Sequence, residues 1–378
     1  MTTKEETYQL LTYAKMGFEP VRGEGAYLWD AAGKRTLDFY GGHAVASTGH
    51  CHPEVVSAIC EQAARLLFYS NAVPSAVRGE AAEALVKAGY PGHAQVFLTN
   101  SGAEANEAAM KMARKSTGRE EVLFTEGSFH GRSLAALSVC GIAKYRAFRP
   151  EAPGTRQIPF GDAAALQAAV SERTAAVLLE PVQSVAGMRT APAAYFQAAR
   201  EITARAGACL IFDEVQTAFG RTGRRMVGMH WGVEPDLATS AKGAASGLPI
   251  GVTWIPERIA KTIALGEHGA TFGGGPTLAA AAAATLKVLT REKVWEGAAR
   301  LEQRIRAGVA ALGAPYGGVR GMGLLLGIEV ADAAGLAKRL LEAGLVVGEG
   351  PGVLRLMPPL LLKEGHVDEM LTMLGNTR

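Results

Sequence analysis

An aspartate, Asp213, closes the apolar run Cys209-Leu-Ile-Phe212, and a lysine, Lys242, follows in Ser240-Ala-Lys-Gly243. The first run reads as a buried strand that delivers Asp213 to its C-terminal tip. A second short run, Pro235 to Ala238, leads to the lysine. A carboxylate and an amine on neighbouring strand ends suit pyridoxal phosphate (PLP) chemistry. The amine can form a Schiff base with the cofactor aldehyde, while the carboxylate keeps the pyridine nitrogen protonated. A strand ending in Asp-Glu also serves magnesium sites, helix caps and solvent-facing edges, so the pair needs its surroundings to become specific.

Two further words carry chemistry. Thr99-Asn-Ser-Gly-Ala-Glu104 follows a strand and opens a helix. Ser101 with Glu104 three residues on is a capping box, and Gly102 and Ala103 let an anion approach the free first-turn amides. An ordinary capped helix has the same local pattern. Gly127-Ser-Phe-His-Gly-Arg-Ser133 follows another strand. Phe129 or His130 can stack on a planar ring, and Arg132 can fork onto a carboxylate; alone, the word also fits a solvated loop. His50-Cys51-His52 has no second cluster at zinc spacing, so no metal site is expected. Gly321-Met-Gly-Leu-Leu-Leu-Gly327 departs from GxGxxG and leads into a strand, and Gly273-Gly-Gly-Pro276 lacks a P-loop lysine; neither reads as a nucleotide site.

The chain that must position these residues has 378 of them, enough for two to three domains. Hydrophobic content of 48% and charged content of 20% suit a globular protein with ample core, and a net charge of +3 gives no case for nucleic acid or an anionic membrane. Four scattered cysteines suit reduced thiols better than a disulfide framework. The start, Met1-Thr-Thr-Lys-Glu-Glu6, lacks the apolar core of a secretory signal, so a cytoplasmic protein is expected. No apolar run reaches the ~18 residues of a membrane span.

Residues 1–20 read as helical and then irregular. Gly25–Asp30 and Arg35–Tyr40 read as a β-hairpin, and a helix opens at Pro53 and runs through Leu67. From residue 80, short apolar strands alternate with helices: Gln95–Leu98, Glu121–Phe124, Ala175–Leu179, Cys209–Phe212, Leu237–Ser240 and Ile250–Ile255. The pattern predicts an α/β fold with a largely parallel sheet flanked by helices. Ligands in such sheets sit beyond the carboxyl ends of the strands, where Asn100/Ser101, Glu126, Glu180, Asp213 and Lys242 fall. A long helix from Leu278 to about Ala311, strands near Gly323–Glu329 and Val353–Met357, and a last helix from Glu364 read as a second, smaller α/β unit.

Taken together, the words resemble the class III (ornithine/acetylornithine-type) PLP-dependent aminotransferases over nearly the whole chain. The resemblance rests on Gly49-His-Cys-His-Pro53, Asn100-Ser-Gly-Ala-Glu-Ala-Asn106, Phe129-His-Gly-Arg132, Glu180-Pro-Val-Gln183, Phe212-Asp-Glu-Val-Gln216, Gly220-Arg-Thr-Gly223, Ala241-Lys-Gly243, Thr271-Phe-Gly-Gly274 and Arg355-Leu-Met-Pro-Pro359. It implies PLP fold type I, with an N-terminal segment (1–45), a large PLP-binding domain (46–277) and a small C-terminal domain (278–378). By position, it implies that Lys242 is the Schiff-base lysine and proton shuttle, that Asp213 pairs with the ring nitrogen, and that Gln216 bonds the phenolic oxygen. Phe129 and Val215 would flank the ring, Ser101, Gly102 and Ala103 would hold the phosphate, and His130 and Glu180 would join the cofactor site. Thr271 would reach the phosphate of a neighbouring subunit, implying a homodimer. Arg132 and Arg355 look like the ligands of substrate carboxylates. The implied reaction is ping-pong transfer of an amino group to a 2-oxo acid.

The sequence departs from the family where substrate is chosen. Members of the acetylornithine type carry Gly-Glu-Gly-Gly after Glu-Pro-Val-Gln; here the word is Ser184-Val-Ala-Gly187. Val185 replaces a glutamate that, in the family, pairs with the arginine matching Arg355 when an ω-amino donor binds. The loss shifts the expectation toward a relaxed amine or omega-transaminase, with a strict acetylornithine or ornithine enzyme as the alternative. Gly275 and Ala244-Ala-Ser-Gly247 are further departures. An aminomutase of the same fold is disfavoured by Gln183, and a non-catalytic scaffold by the joint presence of Lys242, Asp213 and Arg132.

Overall fold

The computed structural model describes residues 3–147 and 151–377. Three N-terminal strands, β1 (Pro20–Glu24), β2 (Tyr27–Asp30) and β3 (Arg35–Asp38), form an antiparallel meander. The turn between β2 and β3 is tied by Asp30, whose Oδ1 accepts from the amides of Ala32 and Lys34. Seven strands follow: β4 (Gln95–Thr99), β5 (Glu121–Thr125), β6 (Thr155–Ile158), β7 (Thr174–Leu179), β8 (Cys209–Asp213), β9 (Leu237–Ser240) and β10 (Gly251–Ile255). They build one sheet in the order β4-β10-β9-β8-β7-β5-β6. Only β10 runs against the others, pairing antiparallel with both β4 and β9. The sheet is therefore mostly parallel, as expected for strands that read as unbroken apolar runs buried on both faces.

That order sets the site. β8 and β9 lie side by side with Asp213 opposite Thr239, so Lys242, three residues on, emerges next to the Asp213 carboxylate. Because β10 reverses, the carboxyl end of β4 returns to the same edge, and Ser101 opens the helix Gly102–Thr117 there. Trp254 on β10 is fully buried and donates from its indole nitrogen to Leu85 O, which fastens the helix Ala76–Ala88 to the sheet.

The C-terminal part adds β11 (Val319–Met322), β12 (Leu325–Glu329), β13 (Leu345–Val346), β14 (Gly348–Gly350) and β15 (Val353–Leu356). Four of these form the sheet β11-β12-β15-β14, while β13 pairs in parallel with β3 and so joins the N-terminal meander to the end of the chain. The glycine-rich word from Gly321 is the hairpin turn between β11 and β12. The final helix runs Glu364–Asn376.

Several expectations need correction. The single helix from Leu278 to Ala311 is two, Pro276–Arg291 and Val294–Leu312, broken where Lys293 takes a left-handed conformation (φ 44°). Nothing local announces that break, because the left-handed residue is not the usual glycine. The helix from Pro53 ends at Arg65, and the start of the chain is helical only over Lys4–Tyr8, residues 1–2 lying outside the described part. β1, β6, β11, β13, β14 and the helix Ala333–Glu342 were not anticipated. β6 reads Thr-Arg-Gln-Ile at the sheet edge, where one-sided burial removes the apolar signature. Among the described residues, no helix is long and apolar enough to cross a membrane.

Gly251 allows β10 to pass under the turn that opens the helix Gly102–Thr117: a Cβ there would lie 2.2 Å from both Ser101 O and Thr99 Oγ1. Gly251→Ala is expected to cost about 1–3 kcal/mol through overpacking. Thermal melting checks this, and an unchanged Tm would contradict it.

Candidate active site

Asp213 ends β8 almost fully buried, and its charge is met by donors from three places. Asn106 Nδ2 donates to Oδ2 at 2.7 Å, His130 Nδ1 lies 2.7 Å from the same oxygen, and the Val215 amide donates to Oδ1 at 3.0 Å. Asn106 is itself held, donating to His130 O at 2.9 Å and accepting from Thr239 Oγ1 at 2.5 Å. A buried anion is tolerated only when hydrogen-bonded in this way.

Lys242 lies in the same cavity, of about 360 Å³. Burial pushes its amine below the ordinary lysine range, while Asp213 and Glu180 pull it back up and Arg355 adds to the lowering. The helix Gly102–Thr117 points its N-terminus at this cavity through Ser101, Gly102 and Ala103. Its cap differs from the expected box. Ser101 Oγ accepts from the Glu104 amide, but the Glu104 carboxylate reaches back to the Asn100 amide at 2.9 Å, not to that of Ser101. Gly102 packs so closely under Val215 that a Cβ would lie 2.7 Å from its Cγ2.

All the expected cofactor residues except Thr271 line this one cavity. Thr271 is exposed and lies outside it. His130 lines it differently from the stacking envisaged, since its ring is bonded edge-on to Asp213, with Nε2 buried and without a partner among the described residues. The donor set fits PLP: a buried carboxylate braced to hold a ring N–H, an amine with lowered pKa, and an unblocked helix N-terminus for phosphate.

A second cavity, of about 570 Å³, adjoins and is lined by Arg355, Val185 and Tyr145. Arg355 is buried; one guanidinium nitrogen, Nη2, donates to Ser184 Oγ at 2.6 Å, and Nε has no partner among the described residues. Ser184 Oγ in turn donates to Gln216 Oε1 at 3.0 Å. Arg132 is exposed, donates to Tyr13 Oη at 2.9 Å, and lies 5.0 Å from the Tyr145 ring centre.

Sequence reasoning gave no role to Asn106, Ser184 or His43. Asn106 stood inside a quoted motif, but its reach to a carboxylate 107 residues away is purely tertiary. His43 sits in a left-handed run from Gly41 to Ala44, with Nε2 2.5 Å from Tyr40 Oη. Burial pushes its pKa down to about 4, helped by Arg355, Lys242 and Arg132, so it stays neutral beside those cations. The polar residue after Gly41-Gly42 was the available signal.

Comparison with known proteins adds the relationship. The aminotransferase class-III family matches residues 11–377. The chain is 41% identical to the acetylornithine aminotransferase of Methanothermobacter thermautotrophicus, covering 98% of this chain and 96% of that one. It is 40% identical to the succinylornithine transaminase/acetylornithine aminotransferase of Pseudomonas aeruginosa, covering 97% and 94%. The ornithine aminotransferase of Toxoplasma gondii, whose structure shows partial occupancy of PLP at the active site, superimposes with a TM-score of 0.94 at 31% identity, covering 99% and 92%.

Burial, with Asp213 nearby, pushes the Glu180 carboxyl up to about 8, against the opposing amides of Phe129 and Ser184 and against Lys242. Burial also pushes Glu214 up to about 7. The folded chain thus keeps protons that the unfolded chain releases. Stability is fully present below the ordinary carboxylate range and is lost as pH rises through about 8. Melting of cofactor-free protein from about pH 5 to about pH 8.5 should show a falling Tm, with a shallower fall for Glu180→Gln. Parallel curves would contradict the assignment.

Proposed function

The chain belongs to the class-III PLP-dependent aminotransferases, and from that premise we propose that it moves the terminal amino group of an N-acylated ornithine to a 2-oxo acid. The named relatives at about 40% identity over nearly full length support this donor class. They favour it over the relaxed amine transaminase that Val185 alone suggested. The observation that carries the reading is the pair of arginines: Arg355 buried beside the Lys242 cavity and Arg132 exposed near it. A donor with a carboxylate at one end and an amine at the other can anchor on one arginine and present its amine to the lysine.

Bound PLP supplies an aldehyde that takes up the amino group and a ring that accepts the electrons left by C–H cleavage. Asp213, braced by Asn106 and His130, would hold the proton of the ring nitrogen. Lys242 Nζ, its pKa lowered by burial, is placed to take a proton from the substrate carbon as general base and to return it as general acid. The first-turn amides of Gly102 and Ala103 would bind the cofactor's phosphate, and Gln216 would donate to its phenolic oxygen. The two half-reactions share one site, so the kinetics are ping-pong.

We also propose a homodimer. Residues 66–69 with Val73 and Phe272 leave large apolar side chains exposed, Phe68 and Phe272 packing at 5.1 Å beside the exposed Thr271. An apolar cluster of this kind suits a subunit interface, and it would bring Thr271 to the partner's phosphate site. The domain division at residues 45 and 277 is likewise our reading: the seven-stranded sheet falls wholly between those limits.

A donor panel (acetylornithine, succinylornithine, ornithine, 4-aminobutyrate, a simple aryl amine) against 2-oxoglutarate and pyruvate tests the assignment. Acylated ornithines should give the highest kcat/KM, and a preference for the aryl amine would restore the second reading. Lys242→Ala should lower turnover by at least about a thousandfold, in line with loss of the acting proton carrier and covalent anchor. Val185→Glu should raise the kcat/KM preference for acylornithine over glutamate as donor; an unchanged ratio would show that position 185 does not set donor choice.

A further inference from the structure

Ser184 stands where the related enzymes' word has its first glycine, and its side chain joins two groups that the mechanism uses separately. Arg355 Nη2 donates to Ser184 Oγ at 2.6 Å, and the same oxygen lies 3.0 Å from Gln216 Oε1. A guanidinium only donates, so the hydroxyl accepts from Arg355; its single proton has Gln216 Oε1 at 3.0 Å as the nearer acceptor and Met357 Sδ at 3.9 Å as the other. With Oε1 engaged, the amide NH2 of Gln216 is the end left for the Lys242 cavity that Gln216 lines. Ser184 is fully buried, and its own amide donates to Glu180 Oε1 at 3.2 Å, which keeps the hydroxyl from wandering.

We propose that Ser184 is a positioning residue that couples carboxylate recognition at Arg355 to the cofactor contact made by Gln216. The proposal rests on the PLP aminotransferase reading above and deepens it. Its hydroxyl holds the guanidinium with a neutral acceptor, so the positive charge of Arg355 remains uncancelled, whereas a carboxylate partner would neutralise it. Arg355 Nε is buried and, among the described residues, has no hydrogen-bond partner. An arriving carboxylate therefore adds a partner without breaking the Ser184 bond. Arg355 is a fixed receptor in both half-reactions, and the same oxygen sets which end of Gln216 meets the phenolic oxygen.

The test is Ser184→Ala in the holoenzyme, with Ser184→Thr as the hydroxyl-retaining control. The first readout is the pH midpoint of the visible absorption band of bound PLP, measured without substrate. An N–H donated to the phenolic oxygen favours its anion, so loosening Gln216 should raise the midpoint by on the order of half a unit or more. Asp213, Glu180, Lys242 and His130, the charged or titratable groups around the cavity, are unaltered in both variants. The second readout is KM for the oxo acid, expected to rise roughly tenfold with kcat within about threefold, as for one lost hydrogen bond to a charged group. Ser184→Thr should restore both.

A Ser184→Ala enzyme with the wild-type midpoint and KM would overturn the proposal. So would a general decline in melting temperature and all kinetic constants that Thr does not rescue. The absorption readout needs no donor, so a wild-type enzyme that rejects acylornithines would overturn the donor assignment while the midpoint comparison still decides the role of Ser184.

Discussion

The structure depends on one buried charge. Asp213 carries its carboxylate at the tip of a central strand, out of reach of bulk water, and such an anion is stable only if protein groups replace its hydration. Its donors come from the helix after β4, the loop after β5 and its own following turn. Asn106 is pinned by Thr239, which is the register partner of Asp213 on β9. Helix, loop and two strands are thereby locked to one carboxylate, and Lys242 inherits its place from the same register. The bracing costs nothing at the moment of reaction because it is complete beforehand, which is the basis of electrostatic preorganisation.

Around that anchor, burial tunes the remaining ionisable groups in consistent directions. It lowers Lys242 and His43 and raises Glu180, so the interior carries less charge than its composition suggests. A lysine whose pKa is lowered reaches its nucleophilic, basic form more readily than an ordinary surface lysine. Burial lowers the Arg355 guanidinium too, but a guanidinium starts from so high a value that it keeps its charge. Its neutral hydroxyl partner leaves that charge unspent on protein, as suits a residue awaiting a carboxylate.

Much of this was readable from sequence, for a physical reason. Strands buried on both faces show unbroken apolar runs, which place β5, β7, β8, β9 and β10 within a residue or two; β4, though at the sheet edge, carries the short apolar run Val96-Phe-Leu98 and is placed as well. Polar residues at their carboxyl ends stand out against that background, and Ser101, Glu180, Asp213 and Lys242 were found that way. The other edge strand, β6, reads Thr-Arg-Gln-Ile and offers no such run. The helix break at Lys293 and the shifted arm of Glu104 depend on backbone angles and on which of two adjacent amides is nearer. The roles of Asn106, His130 and Ser184 are contacts between segments distant in sequence. Residue type hints that they can bond, and only the fold says to what.

The central claim is that the amine at Lys242 stands over a ring held by Asp213. Borohydride reduction of the PLP-loaded protein, followed by peptide mapping, tests it most directly. The account predicts a stable cofactor adduct on Lys242, lost in Lys242→Ala and weakened in Asp213→Asn. An adduct on another lysine, or none at all in protein that retains bound PLP, would contradict it.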